Sequence, residues 1–197
     1  MRVIAGTYRS RPLTAPRGMT TRPTSDRLRE TLFNILAPHI QGSKFIDLYA
    51  GSGAVGIEAL SRGAEHVWFV ENAATAVKTI RVNLASLKIE RGYTLEARSA
   101  VAALERMSGQ GVVADVVLLD PPYEAEKEYS RVLEFLGSER GSALLEPKAL
   151  VVAEHRSKAA LAEQYGLLQR TRVVKQGDAA LSFFSARKMS GEEEVGT

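Results

Sequence analysis

Asp47-Leu48-Tyr49-Ala50-Gly51-Ser52-Gly53-Ala54-Val55-Gly56 is the stretch that decides the fold. The apolar run from Phe45 to Tyr49 ends in this glycine-rich turn, and a helical stretch follows from about Gly53 to Ser61. Strand, Gly-x-Gly-x-x-Gly turn and helix in that order open a nucleotide-type α/β sheet, because the glycines permit the tight turn and let a ligand approach the backbone. Glu71 stands 20 residues beyond Gly51, at the end of the next apolar run, Val67 to Val70. A carboxylate there can accept two hydrogen bonds from a ribose diol.

Outward from this unit the chain alternates between the two periods. Thr24 as N-cap and Asp26 in the first turn precede Leu28, Leu32, Ile35 and Leu36, so a helix is predicted that Pro38 stops. Asn72 is placed to cap a second helix, with the stripe Ala73, Val77, Ile80, Leu84 and Leu87. Tyr93 to Ala97 reads as the third strand and Val116 to Leu119 as the fourth, apolar on both faces like a central parallel strand. Tyr129, Val132, Leu133 and Leu136 form a helical stripe, Ala149 to Ala153 a fifth strand, and Ser157 to Tyr165 a further helix. Leu167 to Lys175 and Ala179 to Arg187, parted by Gln176-Gly177-Asp178, read as a hairpin. The pattern predicts a doubly wound, mostly parallel α/β sheet with an antiparallel strand near its edge. Ligands of such sheets lie beyond the carboxyl ends of the strands, which here read Asp47 to Gly53, Glu71, and Asp120 to Tyr123.

The 197 residues suffice for one full domain and an extension, and 45% hydrophobic with 25% charged residues is a globular balance. Residues 1–23 read as a basic arm or hairpin, 24–188 as the domain proper, and 189–197 as a frayed tail. The absence of cysteine excludes disulfide scaffolds, thiolate zinc sites, iron–sulfur clusters and a cysteine nucleophile. His39, His66 and His155 are far apart, with no carboxylate at ligand spacing, so no catalytic metal is expected. Neither a Gly-x-Ser-x-Gly elbow nor a phosphate-binding P-loop occurs. The arm carries Arg2, Arg9, Arg11, Arg17 and Arg22 without an acid; the whole chain nets +3, so the rest nets −2. Basicity confined to an arm suggests one placed contact with a polyanion, and Tyr8 among the arginines suits base stacking beside phosphate contacts. The alternative is an arm that covers the sheet and leaves its arginines solvated. No apolar stretch in the arm could serve for export, so a cytoplasmic monomer that meets no membrane is expected.

Asp47 separates the ligand classes. A carboxylate beside the loop would repel a dinucleotide pyrophosphate, whereas S-adenosylmethionine (SAM) has no phosphate and carries an ammonium and a sulfonium. A nicotinamide oxidoreductase stays the rival enzyme reading. Asp120-Pro121-Pro122-Tyr123 follows the fourth strand, and its prolines stiffen the backbone where it leaves the sheet. An exocyclic base amine is a poor nucleophile. The Asp120 carboxylate and Pro121 carbonyl can hold its two N–H groups and aim its lone pair, while Tyr123 stacks on a flipped base. Guanine N2, adenine N6 and cytosine N4 are equal candidates on this chemistry. A non-catalytic RNA-binding module would need a damaged site, and none is visible.

Arg22 to Asn34 and Asp47 to Ala64, together with the Asp-Pro-Pro-Tyr tetrapeptide, closely resemble the bacterial RsmD family, which methylates N2 of a guanine in 16S ribosomal RNA. The resemblance spans roughly Arg2 to Arg187. It implies a class I methyltransferase sheet of seven strands with the last antiparallel, SAM as donor with S-adenosylhomocysteine as product, and 16S RNA, free or in a 30S particle, as substrate. By that pattern Asp47, Tyr49, Gly51, Ser52, Gly53, Glu71, Asn72 and Asp120 surround SAM, and the segment from Arg22 to Arg27, with Thr24, closes over its methionine end. Where such enzymes commonly carry an Asp after the third strand for the adenine amine, this chain has Ser99-Ala100, which shifts that contact to the Ser99 hydroxyl or to backbone.

Overall fold

The structure is a computed structural model that describes residues 1–16, 26–122 and 126–187. Arg17, Arg22, Thr24, Tyr123 and the tail 189–197 lie outside the described residues. In chain order the elements are α1 (Asp26–Ile40), β1 (Lys44–Leu48), α2 (Ala54–Ser61), β2 (His66–Val70), α3 (Ala74–Ser86), β3 (Tyr93–Glu96), α4 (Ala100–Gly109), β4 (Ala114–Leu119), α5 (Glu126–Gly137), α6 (Glu139–Ser142), β5 (Leu145–Arg156), β6 (Gln164–Tyr165), β7 (Leu168–Gln176) and β8 (Ala179–Ala186).

The strands form one sheet in the order β3-β2-β1-β4-β5-β8-β7-β6. The pairings β2 with β3, β1 with β2, β1 with β4 and β4 with β5 are parallel; β5 with β8, β8 with β7 and β7 with β6 are antiparallel. The apolar stripes found in the sequence supply the two layers. Leu32, Phe33 and Leu36 of α1, Ile57 of α2, and Ile80 and Leu84 of α3 pack on one face of the sheet. Ala103, Leu104 and Met107 of α4 with Val132, Leu133 and Leu136 of α5 cover the other. Burial on both faces is what continuous apolar runs such as Val116 to Leu119 require.

Three expectations need correction. Among the described residues the sheet has eight strands, not seven, and its antiparallel part comprises β6, β7 and β8. The helix expected over Ser157 to Tyr165 does not form. Its residues favour a helix, but the Tyr165 ring meets Phe184 edge-on at 5.8 Å, and Gln164 and Tyr165 pair with β7 instead. Packing on the sheet overrides a local preference worth only tenths of a kcal/mol per residue. Pro38 does not end α1, which continues to Ile40, 2% exposed, because burying that side chain keeps the last turn in place.

Residues 1–13 of the arm fold as a hairpin. Val3 N–H donates to Arg11 O at 3.0 Å and Ser10 N–H to Val3 O at 2.9 Å, with a bridge between Arg2 and Pro12. Val3 and Leu13, 1% and 6% exposed, belong to the main core, so the hairpin is built into the domain. Among the described residues no helix is long and apolar enough to cross a membrane.

Candidate active site and nucleic-acid interface

Register brings the strand-end residues together. Leu48 pairs with both Val70 and Leu119, so Tyr49, Glu71 and Asp120 leave the sheet at one level, beside Glu154, which is still within β5. The chain must then turn sharply from β1 into α2. Gly53 is the N-cap of α2 with φ of 77°, a left-handed conformation that side chains resist. At Gly56 a Cβ would lie 2.3 Å from the Phe69 ring, so only glycine lets α2 sit this close to β2.

Three carboxylates gather around the loop. Asp47, 2% exposed, accepts the Gly56 N–H at 2.9 Å and lies beneath the loop. Burial pushes its carboxyl up to about 7; the Gly56 bond opposes this, and the negative charges of Asp120 and Glu71 add to it. Glu71, 8% exposed, accepts Gly51 N–H at 2.9 Å through one oxygen and Ala73 N–H at 2.8 Å through the other. It thereby takes the capping work expected of Asn72: the N-cap of α3 is Ala73, and Asn72 is exposed. Asp120 is half-buried, with Pro121 buried behind it and Pro122 exposed. A rim of carboxylates suits a cationic ligand and repels a pyrophosphate.

The remaining sequence candidates fall in different places. Tyr49 is held at φ of 60°, and its hydroxyl donates to Glu128 at 2.8 Å. Ser52 faces the arm, with its hydroxyl 3.6 Å from the Met1 sulfur and its carbonyl accepting from Asn83 at 2.9 Å. Ser99 is the exposed N-cap of α4 and makes no side-chain capping bond; Ala100 beside it is buried. At the end of β3, Glu96 pairs with Arg98 at 2.7 Å and Arg106 at 3.5 Å. Arg27 is exposed on the first turn of α1. In the arm, Arg2, Arg9 and Arg11 are exposed, while Tyr8 is half-buried and packed on the core. His66 bonds Thr94 at 2.9 Å and His155 bonds Ser182 at 2.8 Å, and burial lowers the pKa of both.

Sequence reading missed the side chains that join the arm to the site. Glu58 of α2 is fully buried; it accepts Ile4 N–H at 2.7 Å and Ala5 N–H at 2.9 Å, and pairs with Arg62 at 2.7 Å. Arg29, 1% exposed, donates to Arg2 O at 2.5 Å and to Asp26 at 3.0 Å. Asn83 holds Thr14 by both its N–H and its C=O. A lone acid in the apolar run Ala54 to Leu60 was the available signal for Glu58, since a buried carboxylate requires partners.

The parallel half of the sheet, its antiparallel end and the glycine turn after β1 define a class I methyltransferase fold. A family model described as conserved hypothetical protein 95 matches residues 1–185. The Bacillus subtilis protein YlbH, to which rRNA methylation is provisionally ascribed, is 35% identical over 187 residues, 95% of this chain and 100% of its own. Ribosomal RNA small subunit methyltransferase D of Haemophilus influenzae is 38% identical over 159 residues, 78% of each chain. The structure of Escherichia coli yhhF, provisionally titled a methyltransferase, superposes with a TM-score of 0.77 at 32% identity, covering 94% of this chain and 97% of that one. The chain belongs to the RsmD/YlbH family.

Proposed function

We propose that the protein methylates the N2 amine of a guanine in 16S ribosomal RNA, with SAM as donor. The observation that carries this reading is the ring of Asp47, Glu71 and Asp120 at the ends of adjacent strands around the glycine loop. Of these, Asp47 and Glu71 suit SAM, and Asp120 serves the acceptor. Glu71 with Asn72 would hold the ribose, the backbone of Gly51 to Gly53 would follow the ligand, Asp47 and Tyr49 would border its charged end, and Ser99 with Ala100 would receive the adenine. Thr24 and Arg27 close the methionine end. When bound, SAM supplies a methyl group made electrophilic by the positive sulfur.

The chain's own residues act on the acceptor. The Asp120 carboxylate and Pro121 carbonyl accept the two N–H bonds of the target amine and aim its lone pair, and Tyr123 stacks on the base. The proton leaves after nitrogen has gained the methyl group, so no separate strong base is needed beforehand. The exposed Arg2, Arg9 and Arg11, with Arg17 and Arg22, hold RNA phosphates and position the strand, and Tyr8 stacks beside them on a base. The relatives named for ribosomal RNA support this substrate.

Asp120→Ala tests the assignment. Single-turnover methyl transfer to RNA is expected to slow by at least about a hundredfold, with SAM affinity retained, because the carboxylate acts on the amine rather than the donor. A rate within a few-fold of the parent contradicts it.

A further inference from the structure

Resting on the methyl-transfer reading above, we infer that the Tyr49–Glu128 hydrogen bond is a latch that sets the acceptor loop against the donor loop, which makes both side chains positioning residues for transfer. Tyr49 is the first residue after β1, and Asp120 the first after β4. The residues before them, Leu48 and Leu119, are paired neighbours in the sheet, so the two loops start side by side. The acceptor loop then runs from Asp120 to the first residue of α5, Glu126. Its near end is fixed by the sheet. Its far end enters α5, so what holds α5 also holds that end.

Two side chains in the first turn of α5 do so. The Tyr129 hydroxyl donates to Glu154 O at 2.7 Å, which ties α5 to β5. Glu128 accepts the Tyr49 hydroxyl at 2.8 Å, which ties α5 to the loop that precedes the glycine turn. Arg131 holds the other Glu128 oxygen at 3.1 Å and so orients the acceptor. Burial, the hydrogen bond to Glu128 and its charge all keep the Tyr49 phenol protonated and therefore a donor. Tyr49 also sits at φ of 60°, a left-handed conformation that a non-glycine residue adopts only where its surroundings hold it. The latch thus joins a strained residue of the donor loop to the exit of the acceptor loop.

Methyl transfer requires both partners to be held at a set approach, and a shift of a fraction of an ångström between the loops costs rate without cost to either binding step. The latch therefore acts on turnover rather than on SAM affinity. It also differs from a bond that merely stabilises the fold, which would lower the melting temperature and leave the single-turnover rate alone.

The test uses the full chain and the variants Tyr49→Phe, Glu128→Ala, Glu128→Gln and the Phe/Ala double variant. Single-turnover transfer to RNA at saturating SAM is measured beside SAM affinity by calorimetry. Tyr49→Phe removes only the hydroxyl and keeps the ring, so it reads the bond even if Glu128→Ala disturbs α5. Tyr49→Phe and Glu128→Ala are each expected to slow transfer about tenfold with SAM affinity within about threefold, and the double variant to be no slower than the slower single. Glu128→Gln, whose amide oxygen still accepts from Tyr49, is expected to recover most of the rate. Rates within twofold of the parent, losses that multiply in the double variant, or equal loss of rate and SAM affinity would overturn the latch. If the parent itself transfers no methyl group, the functional reading falls with it; if the parent transfers and the variants keep pace, the latch alone falls.

Discussion

Asp47 carries a charge that the fold holds poorly and that, on the proposed reading, bound SAM would stabilise. Its carboxyl is raised to about 7, chiefly by burial. The unfolded chain loses this proton in the ordinary carboxylate range, so between that range and pH 7 the folded state binds the extra proton. The contribution of Asp47 to stability is therefore complete at low pH and is lost as pH rises through about 7. SAM affinity follows the opposite trend, because the ionised carboxylate attracts the cation. Relative to Asp47→Asn, the parent is expected to bind SAM about tenfold more weakly at pH 6 than at pH 8, the loss expected one unit below a pKa near 7. Over the same range the ligand-free parent should melt higher at the lower pH, again relative to the variant. Calorimetry and thermal melts at both pH values check this; a pH response identical in parent and variant rejects it. The acid was legible from its position before the loop, and its burial was not, since burial depends on how closely α2 and β2 approach. Glu71 was legible by spacing. Its hold on Gly51 and Ala73 depended on the turn geometry, which spacing does not specify.

Elements with a clear period were legible and those decided by packing were not. The stripe Val77, Ile80, Leu84 and Leu87 is buried as its helical spacing requires, and Val116 to Leu119 is a central strand. Ser157 to Tyr165 has helix-favouring residues, yet Tyr165 is drawn to Phe184 and the segment ends in β6. The arm lies between these cases. Its arginines were visible, but its attachment was not, because Arg29, Glu58 and Asn83 lie 27 to 69 residues along the chain from the arm groups they bind. These anchors grip the arm mainly by backbone, so the exposed Arg9 and Arg11 can be replaced without undoing it. Arg9→Ala with Arg11→Ala is expected to weaken RNA binding and to flatten its dependence on log salt by about 0.7 to 0.9 per lost phosphate contact, leaving SAM affinity unchanged. RNA titrations from low to physiological salt measure it. An unchanged affinity and slope would make the arm a cover for the sheet and place RNA elsewhere.

At the scale of the whole molecule, one sheet places the strand-end carboxylates and a basic hairpin on a common frame. Asp47, Glu71 and Asp120 come from three strand ends, and the hairpin is fastened to the helix that follows the glycine loop. Strand-end carboxylates and basic hairpin are therefore held in one body, which is the arrangement the proposed methyl transfer to an RNA base needs. The class of reaction follows from the family, while residue types alone do not decide among the base amines. The most direct measurement is transfer of labelled methyl from SAM to total RNA and to 30S particles lacking the modification, followed by identification of the labelled nucleoside. The account predicts label in N2-methylguanosine of 16S RNA. Label in N6-methyladenosine or N4-methylcytidine would contradict the guanine assignment, and no label in any RNA would contradict the account as a whole.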